Sequence, residues 1–142
     1  MADMVNHPPH YQGNGLEAIE VIEAYDLGYH LGNALKYLIR AGRKGSELED
    51  LKKAKWYVAR WQDTRAMYTA HWPKRVARDL PSRVPVVEAF GLTGARALAV
   101  EELLDGAVSV SLYSKAPIHF VCAVSKALYS IDRAIAELET AG

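Results

Sequence analysis

Between Leu51 and Trp72, the residues Leu51, Ala54, Val58, Trp61, Arg65, Tyr68 and Trp72 recur at intervals of three and four. That spacing is a stripe along one side of an α-helix. Ser46 and Glu49 form a Ser-x-x-Glu capping box just ahead of it, with Leu48 and Leu51 following, and Pro73 closes the run. A continuous helix over this span is about 40 Å long by its rise per residue. Such a rod is long for one small domain, so the chain must either bundle other helices around it or use it at a subunit contact.

Other helices are legible around it. Residues 4–15, MVNHPPHYQGNG, carry two prolines and two glycines and cannot be helical. From Leu16 to Tyr25 the residues Ile19, Ile22 and Tyr25 repeat at helical spacing, with Gly28 as a stop. Leu31, Leu35 and Leu38 predict a second helix from about Tyr29 to Ala41, followed by Gly42 at the usual C-terminal position. Residues 73–85 hold Pro73, Pro81 and Pro85 among basic side chains and read as a linker. Thr93 to Leu104 reads as helix ended by Gly106. Val108, Val110 and Leu112 then alternate with Ser109, Ser111 and Tyr113 as in a strand, which would pair with Arg83–Val87 or across a subunit boundary. A last helix opens at Pro117, with Val121, Val124, Leu128, Ile131, Ile135 and Leu138 as a stripe for a core or an oligomer seam.

The expected fold is mainly α: a small helical bundle with a long third helix and a short two-stranded β element in the second half. Residues 1–72 form one helical region, 73–85 the linker, and 86–142 a C-terminal helical region packing on the first or on a partner subunit. The length of 142 residues, 50% hydrophobic and 24% charged, suits a globular chain. Gly106–Ser114, the longest stretch free of both charged residues and histidine, is too short to span a bilayer, and no secretory leader opens the chain, so a cytoplasmic protein without membrane contact is expected. One cysteine, Cys122, excludes an internal disulfide or a multi-cysteine metal site.

Charge narrows the function. Acidic and basic residues balance at 17 each, but 13 of the basic and only 5 of the acidic ones lie between Lys36 and Arg83. A net +8 segment in a neutral chain fits either a bipolar surface or a site for a small anion, and it disfavours long nucleic acid. Asn33, Lys36, Arg40 and Arg43 stand in one row of the second helix, flanked by His30 and Tyr37. Cations so aligned repel unless a phosphate binds them or solvent screens them. The row lies off the apolar side, so folding is not expected to depend on it. Gly42-Arg43-Lys44-Gly45-Ser46 follows at a capped helix N-terminus, as a plain turn or a phosphate cradle, though it is no Walker A loop. Asn6-His7-Pro8-Pro9-His10-Tyr11 sets two imidazoles and a phenol on a stiff segment, a flap that could stack on a base or an incidental tail. Glu20 and Glu23 with Glu47 and Asp50 resemble the magnesium ligands of MazG-type nucleotide pyrophosphohydrolases, although acids in first helical turns are expected from the dipole alone.

Residues 5–62 resemble the phage SaV-like family, a domain once of unknown function whose members are often labelled phage nucleotide kinases. The resemblance rests on Val5–Tyr11, Ile19–Glu23, Leu31–Gly45 and Glu49–Tyr57. It implies a phage protein that handles nucleotides, with Asn6, His7, His10, Tyr11, Asn33, Lys36, Tyr37, Arg40, Arg43 and Lys44 along one site. Two roles compete. A sponge would hold a small phosphorylated nucleotide, such as a cyclic immune signal of the host, without chemistry. A nucleoside monophosphate kinase would transfer a phosphoryl group with Lys36, Arg40 and Arg43 in place of a P-loop. Neither requires a cofactor, and a homo-oligomer would enclose the ligand.

If residues 1–11 act as a flap, deleting them leaves the ligand-free melting temperature almost unchanged and abolishes the stabilisation by bound nucleotide. Thermal melts with and without nucleotide check this, and a full ligand-induced shift in the truncated chain makes the segment a passive tail.

Overall fold

In the computed structural model, residues 5, 12–13, 15–67, 69–77, 83–113 and 116–141 are described. A two-residue antiparallel ladder comes first, β1 (Gln12–Gly13) against β2 (Leu16–Glu17), with Gln12 opposite Glu17. It feeds α1 (Ala18–Ala24), and α2 (Gly28–Arg40) follows after a short turn. Next comes α3 (Glu47–Ala66), capped by Ser46, whose side chain accepts a hydrogen bond from the Glu49 amide as the capping box requires. The described second half holds α4 (Arg83–Ala89), α5 (Gly94–Leu112) and α6 (Pro117–Ala141). The mainly helical fold is therefore as expected.

Two helical hairpins, α2/α3 and α5/α6, carry the architecture, and they join where α3 packs on α6. Lys55 pairs with Asp132 at 2.9 Å and Gln62 bonds Ser125 at 3.3 Å, so α3 and α6 run antiparallel. The α6 stripe is core: Val124, Ile131 and Ile135 are buried, with Val121, Leu128 and Leu138 packed beside them. Leu31, Leu35 and Leu38 of α2 and Leu51, Ala54, Val58 and Trp61 of α3 belong to the same continuous apolar cluster.

Two elements differ from expectation. First, α3 ends at Ala66, which makes it 20 residues and about 30 Å rather than 40 Å. Past Ala66 the Met67 amide bonds the carbonyls of Asp63 and Thr64, and the Thr69 amide returns to Thr64. The chain then turns back, and the indole N–H of Trp61 donates to the His71 carbonyl at 2.8 Å. Trp72 does reach the core, its ring 5.2 Å from that of Trp61, but by reversal of the chain and not by another two turns of helix.

Second, the expected strands at Arg83–Val87 and Val108–Tyr113 are absent: the first segment lies in α4, and α5 runs on through Leu112. Gly106 does not end α5. It is buried, and a Cβ there would stand 2.5 Å from the Ala123 Cβ and 3.2 Å from Phe120, so glycine lets α5 and α6 approach closely. The alternation beyond it has a different cause. Val108 to Leu112 are all half-buried, and the Ser111 hydroxyl accepts from the Val76 amide at 3.1 Å. A helix contacted on more than one side needs polar and apolar residues in turn.

Residues 69–77 form a strap across the molecule, anchored on Asp26. One carboxylate oxygen of Asp26 accepts from the amides of Lys74 (2.7 Å) and Arg75 (3.0 Å), and the other lies 3.1 Å from His71 Nε2. The Ala77 amide adds a bond to the Ala24 carbonyl. Asp26 takes a left-handed backbone conformation, φ 52°, to aim its carboxylate this way. Burial alone would raise its pKa, but the two amides and His71 outweigh that and hold it below the ordinary carboxylate value.

A carboxyl depressed in the fold stabilises above its unfolded pKa, and the contribution disappears as pH falls through the folded value. Asp26→Ala should accordingly cost about 1–3 kcal/mol at pH 7, the worth of hydrogen bonds to a charged group. The cost should shrink under acid. Denaturant titrations of both proteins at pH 7 and at pH 3 or below check this, and an equal difference at both pH values refutes it.

Candidate functional site

The solvent side of the α2/α3 hairpin gathers an unusual set of side chains. Because the helices are antiparallel neighbours, Arg40 meets Asp50, and Tyr37 meets Lys53 and Tyr57. The phenol rings of Tyr37 and Tyr57 stack, 6.0 Å apart and 14° from parallel. Tyr29 and Trp56 stand edge-on to Tyr57 at 6.1 and 5.0 Å. Both are largely in solvent, 69% and 59% exposed, although rings of this size usually lie buried. Three cations surround Tyr37: Lys36 Nζ at 4.9 Å, Lys53 Nζ at 5.4 Å and the Arg40 guanidinium at 5.6 Å from the ring centre.

The face has a direction. Rings cluster toward the start of α2, and cations toward its end and the following loop, where Arg43 and Lys44 are exposed. The distance from Tyr57 to that loop is roughly 15 Å along the hairpin, ten residues of helix rise. Desolvation, a hydroxyl hydrogen bond with Tyr29 and the nearby Tyr29 and Tyr37 phenols raise the pKa of Tyr57.

The structure thus brings Lys36, Tyr37 and Arg40 around one ring and sets Arg43 and Lys44 on the loop beyond. The Asn33 amide donates to the Tyr29 carbonyl at 2.8 Å, and His30 lies edge-on to Tyr29 at 5.5 Å. Asn6, His7, His10 and Tyr11 lie outside the described residues. Tyr29, Lys53, Trp56 and Tyr57 were missed as site residues. The signal was available, since Lys53, Trp56 and Tyr57 stand off the buried α3 stripe and two of them are large rings.

Arg40 departs from expectation. Its Nε lies 3.2 Å from Oδ2 of Asp50, which is only 1% exposed, while Asp50 Oδ1 is buried with no hydrogen-bond partner among the described residues. Arg40 therefore holds the fold together as well as lying on the candidate face, and the row is not independent of folding. Of the carboxylates in the alternative reading, Glu20 and Glu23 are exposed on α1 and Asp50 pairs with Arg40. Among the described residues no three His, Cys, Asp or Glu side chains come together as metal ligands.

Comparison with known proteins places this hairpin in context. Residues 5–59, which contain the whole aromatic and cationic face, match the model of a family described as a protein of unknown function, DUF3310. The Gene 1.7 protein of Enterobacteria phage T3 is 53% identical over 64 residues, covering 37% of this chain and 38% of that protein. The chain therefore spans well under half the length of the curated relative it matches. No solved structure matches. These likenesses support a bacteriophage origin and a domain of unknown function close to the expected bounds of 5–62, and the SaV-like label does not come with them.

Removing Arg40 leaves a buried acid without its cation, which costs about 3–5 kcal/mol. Arg40→Ala should lose that much in chemical denaturation, and Arg40→Ala/Asp50→Leu should recover more than half of it. An unchanged midpoint in the single variant shows that the pair contributes nothing to the fold.

Proposed function

We propose that this phage protein binds a small phosphorylated nucleotide on the α2/α3 face and holds it without chemistry. The observation that carries the reading is the ring group of exposed Tyr29 and Trp56 with half-buried Tyr37 and Tyr57, beside Lys36, Lys53 and Arg40. Exposed rings stack on a base, each such contact contributing about 1–3 kcal/mol. Lysines and arginines offset phosphate charge through charge-assisted hydrogen bonds. The base lies at the Tyr29–Trp56 end and the phosphates toward Arg43 and Lys44. A mononucleotide with two or more phosphates, or a cyclic nucleotide, fits the roughly 15 Å between those ends.

Sequestration of a cyclic nucleotide immune signal in the infected cell is the finer form of this reading. Stacking, charge and neutral phenol donors are the chemistry of holding, and capture asks for nothing more. In the same reading, residues 6–11 close over the base and a homo-oligomer completes the enclosure, with no long nucleic acid or membrane as partner. Phosphoryl transfer as a nucleoside monophosphate kinase is the rival outcome, and the test below distinguishes them.

Calorimetric titration with nucleoside mono- and triphosphates and cyclic dinucleotides should find at least one ligand. Trp56→Ala should weaken its binding by about 1–3 kcal/mol. After incubation with ATP, heat denaturation and chromatography, the ligand should return unchanged. Recovery of a nucleoside diphosphate with spent ATP makes the protein a kinase, and no binding by any member removes the nucleotide reading.

A further inference from the structure

The cationic loop at residues 42–46 does not owe its shape to the hairpin alone. Its first turn follows the C-terminus of α2, where the final carbonyls lack helical partners and carry the negative end of the dipole. Arg96, three residues into α5, reaches across and donates from Nη1 to the carbonyl of Ala41, the C-cap of α2. Burial holds the pKa of its guanidinium below the ordinary value, with the charge of Glu47, the first residue of α3, opposing that shift and the charge of Arg43 adding to it. Gly42 is exposed and lies beside Glu47 and Arg96. It adopts φ +82°, and a Cβ there would stand 3.5 Å from the Glu47 carboxyl carbon and 3.8 Å from Arg96 Nη1.

We propose that Arg96 is a positioning residue for the phosphate end of the face: it caps α2, fixes the turn at Gly42 and directs Arg43 and Lys44 outward. The proposal rests on the nucleotide-binding reading and names the device that orients its cations. The hydrogen bond to the Ala41 carbonyl and the charge of Glu47 hold the half-buried Arg96, beside a cavity of about 240 Å³ bounded by Glu47, Arg96 and Glu137. The charge of Arg43 repels that of Arg96, and Arg43 is exposed. A phosphate arriving at the loop offsets that repulsion, so binding is favoured where Arg96 has placed it. Arg96 lies beyond residues 5–59, so a part of the chain outside the matched family region shapes the site within it.

Arg96→Gln and Arg96→Lys in the full chain test this, with two readouts. The first is amide hydrogen exchange in the ligand-free proteins. Arg43, whose amide bonds the Arg40 carbonyl, and Glu49, whose amide bonds Ser46, should exchange about tenfold faster in Arg96→Gln, with α5 and α6 protection unchanged. The second is titration with the common nucleoside 5′-monophosphates and with ATP, where Arg96→Gln should bind about tenfold more weakly. Arg96→Lys keeps the charge and a donor and should restore most of both effects. Unchanged loop exchange in Arg96→Gln overturns the proposal, as does unchanged affinity with a loosened loop, or a lysine variant no better than glutamine. If the wild-type chain binds none of these nucleotides, the functional reading fails by itself, and loop exchange then decides whether Arg96 holds the loop.

Discussion

The buried ring of Trp61 is where three separated parts of the chain meet. It projects from α3 and touches Trp72 of the strap at 5.2 Å and Phe120 of α6 at 5.3 Å, both nearly edge-on. Its N–H, which would be costly to bury without a partner, is satisfied by the His71 carbonyl. The hydrogen bond turns the chain back after α3, and the ring contacts then join the N-terminal hairpin to the C-terminal one. Edge-to-face aromatic pairs add about 0.5–1.5 kcal/mol each beyond the area they bury. No other fully buried side chain among the described residues is larger. The long α3 stripe therefore ends in a junction and not in more helix.

With α3 anchored on one side, its other side is free to present chemistry. The α2/α3 hairpin buries its leucines in the core, keeps Tyr37 and Tyr57 half-buried at its edge, and turns Tyr29 and Trp56 to solvent. Exposing such rings forfeits burial that would stabilise the fold, so their grouping is more naturally read as a binding face than as packing. Arg40 belongs to both sides. It lies near the Tyr37 ring and also offsets the charge of an acid inside the protein. Loss of binding in an Arg40 variant would thus mix direct contact with a loosened hairpin.

The C-terminal half reaches the face from behind. Close contact at Gly106 fixes α5 against α6, and α5 carries Arg96 to the end of α2. The cationic loop is thereby held by a helix more than fifty residues away in sequence. A hairpin with the same face but no such support would leave Arg43 and Lys44 on an unrestrained turn.

Local sequence determined what depends on short-range physics. Apolar spacing placed α2, α3 and α6 nearly to their observed starts, the capping box at Ser46 placed the beginning of α3, and the Lys36–Arg43 row was legible because residues three and four apart share a helix face. Tertiary structure decided the rest. Spacing alone could not show that α3 stops at Ala66, because Trp72 falls in register with its stripe while in fact approaching by a reversal of the chain. Gly106 reads as a terminator in one dimension and as a close contact only when α6 lies against it. The alternating valines and serines of α5 mimic a strand, although Val108 to Leu112 are all half-buried and burial there has no period of two. The candidate face depends most on assembly. Tyr37, Tyr57, Lys53 and Arg40 come from two helices, and whether a cation meets a ring, a buried acid or solvent is set by which helix lies opposite, a fact that no spacing within one helix contains.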